Sequence, residues 1–221
     1  MTAPATLPTI PIIPTTSLGN LQTQTDQLQS IKSSHPTGSL RDTTLGEDSN
    51  FFLAAYTGPV AGLGYEFIDM SLDSINLTVT TPNVFLHSGS GQDAIQVSSG
   101  NNVLDGGTGS NFLVGAAGND TFFVDDRIAT ANIWSTVVGF HAGDAATVWG
   151  VTPKDFNLQH TDNAGAAGFT GLTLSATAAG KPDANLTLSG FTSTDLTNGR
   201  LLVGYGTDPA SGSNYMLIQA T

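Results

Sequence analysis

The stretch 88-SGSGQDAIQVSSGNNVLDGGTGSNFLVGAAGNDTFF-123 decides how this chain is read. It divides into blocks of nine, 88-SGSGQDAIQ-96, 97-VSSGNNVLD-105, 106-GGTGSNFLV-114 and 115-GAAGNDTFF-123, each with glycine fourth, an acid or amide sixth and an apolar residue eighth. Working outward, the apolar series Ile68, Leu77, Leu86, Ile95, Leu104, Leu113, Phe122 keeps the nine-residue step from Ala61 to Phe123, and Gly64 and Glu66 keep the register of the first block. A fixed short period of this kind marks a solenoid.

The spacing has a physical reading. The Gly-rich half of each block can adopt φ > 0 and aim carbonyls and a polar side chain into one small space. The following three residues form a short strand whose middle side chain points inward. Two blocks complete one coil, and stacked coils put each loop about 4.8 Å from the loop two blocks later. Oxygens from two loops can then share one Ca²⁺. The expected pairs are Asp93 with Asn111 on one side and Asn102 with Asp120 on the other. Loop oxygens of Ser90, Gly107 and Gly109 complete the first ligand set, and those of Ser99 and Gly118 the second. Without metal, Asn102 and Asn111 would instead form amide ladders that staple the coils.

On these residues the chain resembles the hemolysin-type RTX repeat family, calcium-binding parallel β-rolls exported by type I secretion from Gram-negative bacteria. The match covers 88–123 and is degenerate over 61–87, where Pro82, Val84 and Ile75 replace loop residues. The resemblance implies Ca²⁺ as cofactor, with Asp at both sixth positions of a site. Here each pair has one Asp replaced by Asn, so one or two weakened sites are expected. The stretch 135-STVVGFHAGDAATVWGV-151 is similar to the segment found directly after such repeats in secreted alphaproteobacterial proteins. This implies a secreted, extracellular protein with an uncleaved export signal in its last several dozen residues.

Composition agrees with an all-β fold. Among 221 residues, 26 Gly, 30 Thr, 19 Ser and 14 Asn leave little helix-forming sequence, and apolar residues at 39% suffice for a core. The net charge of −12 is concentrated between Arg41 and Arg127, an interval with eleven carboxylates and no Lys or Arg. Such a field disfavours nucleic acid and favours a metal cation. With no Cys, neither disulfides nor thiolate sites can hold the fold. Met1–Ile13 has no basic n-region and is broken by Pro4, Pro8 and Pro11, so neither a cleaved signal nor a membrane span is expected.

Three parts are expected. Residues 1–50 form a Pro/Thr/Gln-rich arm that can be ordered only against its own chain or a neighbour. Residues 51–126 form the parallel β-roll. Residues 127–221 form an antiparallel β cap, with strands over 133–138, 146–151, 168–176, 184–190, 201–205 and 215–219. Flanking the inward series, Phe67, Phe85, Val103 and Phe123 give one sheet an apolar exterior. That surface requires cover from the C-terminal segment, the arm or another molecule.

No catalytic constellation is present. There is no G-x-S-x-G, and His35, His87, His141 and His160 are scattered without H-E-x-x-H. Asp125-Asp126 is accounted for by the step out of the repeats. The expected function is therefore a secreted, calcium-stabilised, non-catalytic structural or adhesive protein that self-associates through the arm or the apolar sheet into a layer, fibre or matrix. The alternative is a monomeric polysaccharide-binding module using Trp134, Trp149, Tyr205 or Tyr215. Ice binding through 78-TVT-80 and 187-TLS-189 ranks third.

Overall fold

The computed structural model describes residues 51–56, 62–69, 74, 76–88, 90–208 and 212–221. The arm expected over 1–50 lies outside them. Among the described residues, fifteen strands and one short helix occur in order: β1 (Phe51–Ala55), β2 (Tyr65–Asp69), β3 (Asn76–Val79), β4 (Val84–His87), β5 (Ala94–Val97), β6 (Val103–Thr108), β7 (Phe112–Val114) and β8 (Thr121–Asp125). The second half contributes β9 (Ile133–Val138), β10 (Ala145–Trp149), β11 (Asn157–Ala164), β12 (Gly171–Thr177), β13 (Ala184–Ser189), α1 (Ser193–Thr197), β14 (Leu201–Thr207) and β15 (Asn214–Ala220).

From β2 to β10 the chain deals strands alternately into two sheets, because each nonapeptide supplies one strand and each loop turns the chain across. Sheet A has the order β1-β2-β4-β6-β8-β10-β15-β14, and sheet B the order β11-β12-β13-β9-β7-β5-β3. The repeat strands pair in parallel within each sheet, as the stacked-coil reading requires.

The inward eighth positions build the core. In sheet A one row runs Phe67, Leu86, Leu104, Phe122, Ala146, Ile218, Val203 across seven strands. In sheet B the facing row is Leu77, Ile95, Leu113, Val137, Leu188, Leu172. All of these are buried in a single cluster. At about 25 cal/mol per Å² of apolar surface removed from water, this continuous interior is the main stabilising term.

Phe67, expected on the outer face, is in fact in the inner row and belongs to the core cluster. Ten residues separate Phe67 from Leu77 where the other rungs have nine, and in a strand a slip of one residue exchanges the two faces. Ile68 therefore aligns with outer His87 instead of inner Leu86. Phe85, Val103 and Phe123 do face outward, but they are buried in a second cluster with Ala145, Trp149, Tyr215 and Leu217.

The parallel stacking also crosses residue 126. β9 pairs in parallel with β7, β10 with β8, and β13 with β9, whereas β11–β12–β13 and β10–β15–β14 are antiparallel. The C-terminal strands thus lengthen the same two sheets. Two elements have no counterpart in the sequence pattern. β11, NLQHTDNA, has polar residues on both faces and sits at the sheet edge, and α1 is a single turn started by Thr192 and Asp195 in a capping box.

Candidate metal centre

The loops stack as the spacing implies, and two glycines show how closely. Gly109, at φ +118°, and Gly118 lie against the carbonyl oxygens of Gly91 and Gly100 one coil away, where a methyl group would collide with backbone. Either residue replaced by Ala would push two coils apart.

Both expected pairs come together. The Asp93 N–H donates to Asn111 Oδ1 at 3.0 Å, and the Asn102 N–H donates to Asp120 Oδ1 at 2.8 Å. The pattern runs on in each column, with Val84 N–H donating to Asn102 Oδ1 at 3.2 Å, Asp120 N–H to Asp144 Oδ1 at 2.8 Å, and Asn111 N–H to Ser135 Oγ at 3.2 Å. Sixth-position side chains therefore staple each coil to the previous one through otherwise unmatched backbone donors. Asp93, Asn102, Asn111, Asp120 and Asp144 are all buried.

The amides occupy a cation-like position. Asn102 Nδ2 donates to Ser99 O and Gly100 O, both at 3.1 Å, and to Asp120 Oδ1 at 2.9 Å, so two carbonyls and a carboxylate converge on one NH₂ group. Asn111 Nδ2 likewise donates to Gly106 O at 2.6 Å. The oxygen facing that amide is Gly106's, one residue before the expected Gly107, whose N–H is instead held by Asp105 Oδ1 at 2.9 Å. Ser90 O and Gly91 O both approach Gly109 in the first column.

Asp144 and Ser135 are rungs that the strict period does not reveal. After Phe122 the chain inserts six residues and then resumes the register, in 130-TANIWSTVV-138 and 139-GFHAGDAAT-147, with Ser135 and Asp144 sixth and Val137 and Ala146 eighth. A search allowing one insertion would have found both blocks. The consequence is chemical, because Asp120 over Asp144 is a stacked pair in which both sixth positions are Asp. Among the described residues no three acid or histidine side chains form a ready-made cluster, so a cation here would draw on backbone carbonyls as well.

The electrostatics single out this pair. Burial pushes the Asp120 carboxyl above the usual range despite hydrogen bonds from Ala116 N–H (2.6 Å) and Asn102. Burial, with some repulsion from Asp120, raises Asp144 to about 6 even though the His141 N–H donates to Oδ2 at 2.9 Å and the imidazole Nδ1 lies 3.2 Å away. Each carboxylate has about four lone-pair sites. The N–H donors and the imidazole leave about one free on each, and two buried like charges one coil apart suit a hard divalent cation. The residues present thus fit Ca²⁺ at Asp120–Asp144, while in the upstream pairs the Asn102 and Asn111 amides already hold carbonyl oxygens of the loops.

A parallel β-roll with polar sixth positions stacked at its rims is the class that this geometry defines. Residues 87–122 match the RTX calcium-binding nonapeptide repeat in four copies, and repeats of this family bind Ca²⁺. No curated protein is similar enough to the chain to count as a match. Proteins carrying these repeats are typically secreted, and the repeat itself is a structural, calcium-binding element. None of the described helices is long and apolar enough to cross a membrane.

Away from the rims, Asp126 comes directly after β8 as a buried carboxyl whose Oδ1 has no hydrogen-bond partner. Burial, then repulsion from Asp125 and Asp183, raises its pKa to about 7, with Lys181 opposing. Between its unfolded value near 4 and its folded value, the native state holds a proton that the unfolded chain has lost, so stability falls as pH rises through that window. Asp126→Asn is expected to flatten the decline in melting temperature between pH 5 and 8. An unchanged slope would refute the assignment.

Proposed function

We propose that this protein is a secreted, non-catalytic structural module whose folding is coupled to calcium, with Ca²⁺ held between the stacked loops 115–120 and 139–144. The observation that carries the reading is the buried, stacked pair Asp120 and Asp144, whose carboxyls are both raised by burial. In a low-calcium cytoplasm these charges oppose folding and keep the chain competent for type I export through a signal in its last several dozen residues. Outside the cell the ion bridges the coils and folding follows.

Melting curves in EGTA and in millimolar Ca²⁺ test this. Calcium is expected to raise the midpoint, and identical curves would remove the calcium part. The gain also carries a pH signature. Without the ion, stability falls from about pH 4 to about pH 6 as Asp144 is forced to ionise in the fold. Ca²⁺ binds the ionised form, so its stabilisation grows over the same interval.

Assembly into a layer, fibre or matrix completes the proposal. It is tested by sedimentation of the full chain across calcium concentrations, and a monomer at every concentration would limit the role to a single module. Polysaccharide binding is a second reading, favoured by Trp134 and Phe169, which are 45% and 40% exposed; Phe169 also meets Phe112 edge-on at 4.8 Å. Trp149 and Tyr215 cannot contribute, since both are buried. Thr187 is likewise buried, which removes 187-TLS-189 from any ice-binding surface.

A further inference from the structure

The outer face of sheet B differs in kind from the rims and the core. Across it runs a rank of threonines, Thr161, Thr173, Thr187 and Thr136, which continues into Phe112. Beside that rank lies a second, Gln159, Ser175, Asn185 and Trp134, and toward the first coils the face goes on through Val114, Gln96 and Thr78. None of these side chains is charged, in a chain whose net charge is −12. Asp162, next along β11, is engaged by Ser193, whose N–H and hydroxyl both donate to it at 2.6 Å. Of the large apolar side chains that stand exposed among the described residues, Tyr65, Ile128, Trp134 and Phe169, two gather on this face: Trp134 and Phe169.

Both aromatics are held in place. Trp134 Nε1 donates at 2.7 Å to Thr187 Oγ1 on the adjacent strand, and Thr187 and Thr173 share a further hydroxyl bond of 2.7 Å. The register sets Trp134 opposite Asn185, so reaching Thr187 two residues on lays the indole obliquely across the sheet. The Trp134 backbone N–H donates to Ser110 Oγ at 2.9 Å, and Asn185 is anchored by its Nδ2, which donates to Ile133 O at 3.1 Å. The turn after β11 closes on the same threonine: a Cβ at Gly165, φ +108°, would fall 2.8 Å from Thr187 Cγ2. From that turn Phe169 meets Phe112 edge-on. Two aromatic side chains thus present surface to solvent among hydroxyls and amides, with little rotamer freedom left to lose on binding.

Resting on the polysaccharide reading of the function, we infer that this face binds an uncharged polysaccharide, with the Trp134 and Phe169 rings as stacking surfaces and the neighbouring hydroxyls and amides as hydrogen-bond partners. A sugar ring offers apolar C–H faces and a girdle of hydroxyls, the complement of exposed aromatic surface set among Asn, Gln, Ser and Thr. Charge selects within the class. A uronate or sulfated chain finds no cation among these ranks and approaches a protein of its own sign. A second copy of the chain fits less well. Protein interfaces centre on a continuous apolar core, whereas here Thr136 lies between the Trp134 and Phe112 positions. Seven strands at about 4.8 Å make the face roughly 30 Å across, room for several sugar units.

Native electrophoresis of the full chain through gels cast with soluble polysaccharides tests this, in millimolar Ca²⁺ throughout. The neutral probes are hydroxyethyl cellulose, xyloglucan, galactomannan and dextran, and carboxymethyl cellulose adds charge to the backbone of the first. Retardation by at least one neutral probe, and none by carboxymethyl cellulose, is expected. Trp134→Ala and Phe169→Ala, each checked for a cooperative melt, should weaken that binding about tenfold or more, as removal of an aromatic anchor does. A second readout needs no variant. Trp149 is fully buried, so acrylamide quenches Trp134 alone, and the retarding glycan is expected to shield it. Retardation unchanged in both variants would move glycan binding to another surface, overturning the inference and leaving the polysaccharide reading intact. No retardation by any neutral probe would overturn both. Binding of carboxymethyl cellulose in preference to hydroxyethyl cellulose contradicts the choice of an uncharged chain. Shielding of Trp134 that grows with protein concentration, without glycan, would make a second copy the occupant and likewise overturn the inference.

Discussion

Replacing Phe122 with alanine is expected to destabilise the fold by about 3–5 kcal/mol, a large part of the 5–15 kcal/mol that a domain commonly has. Phe122 is fully buried at the centre of the sheet A row, between Leu104 and Ala146, with its ring 5.9 Å from that of Phe140. Its neighbours in the row are held by parallel pairing on both sides, so the coils cannot close around the vacated volume without breaking the ladder. The cost should therefore lie toward the upper end of the range. Urea titration checks this, with a lower midpoint and an unchanged slope expected. A loss under about 1 kcal/mol would show that the row is not the packed interior described.

The second large effect is expected at Asp144. In Asp144→Asn the amide oxygen can still accept the Asp120 N–H, but its NH₂ group replaces the acceptor of the His141 N–H. That loss costs about 1 kcal/mol. Removal of a buried charge offsets it, so in EGTA near neutral pH the variant should melt close to the parent. In calcium the two should diverge. At a hundredfold excess over Kd the ion is worth about 2.7 kcal/mol. For a chain of this size, that is a midpoint rise of roughly 5–10 °C. The variant is expected to lose most of this rise, and with it the fall in stability between about pH 4 and 6 expected without calcium. Asn102→Asp should act in the opposite direction, lowering stability in EGTA and enlarging the response to calcium, because it replaces the amide that now satisfies Ser99 O and Gly100 O. A full calcium response in Asp144→Asn would place the ion elsewhere.

The site was partly legible. Asp93 over Asn111 and Asn102 over Asp120 followed from the period alone, because eighteen residues per coil puts sixth positions in one column. Asp144 was hidden by six inserted residues, which break a strict period without disturbing the stacking, since an excursion at a rim leaves strand spacing intact. Phe67 failed for the opposite reason. One extra residue inside the period is invisible in a series that contains both Phe67 and Ile68, yet it exchanges the faces of the whole strand.

By themselves the residues determined the two-sheet stack and its inward rows. A glycine-rich loop and a three-residue strand repeated every nine positions are a local instruction, carried out the same way in each coil. Tertiary structure alone decided which loop carbonyls meet the Asn102 and Asn111 amides and where the Asp-over-Asp pair falls. Those outcomes depend on coil-to-coil register, which no local pattern encodes.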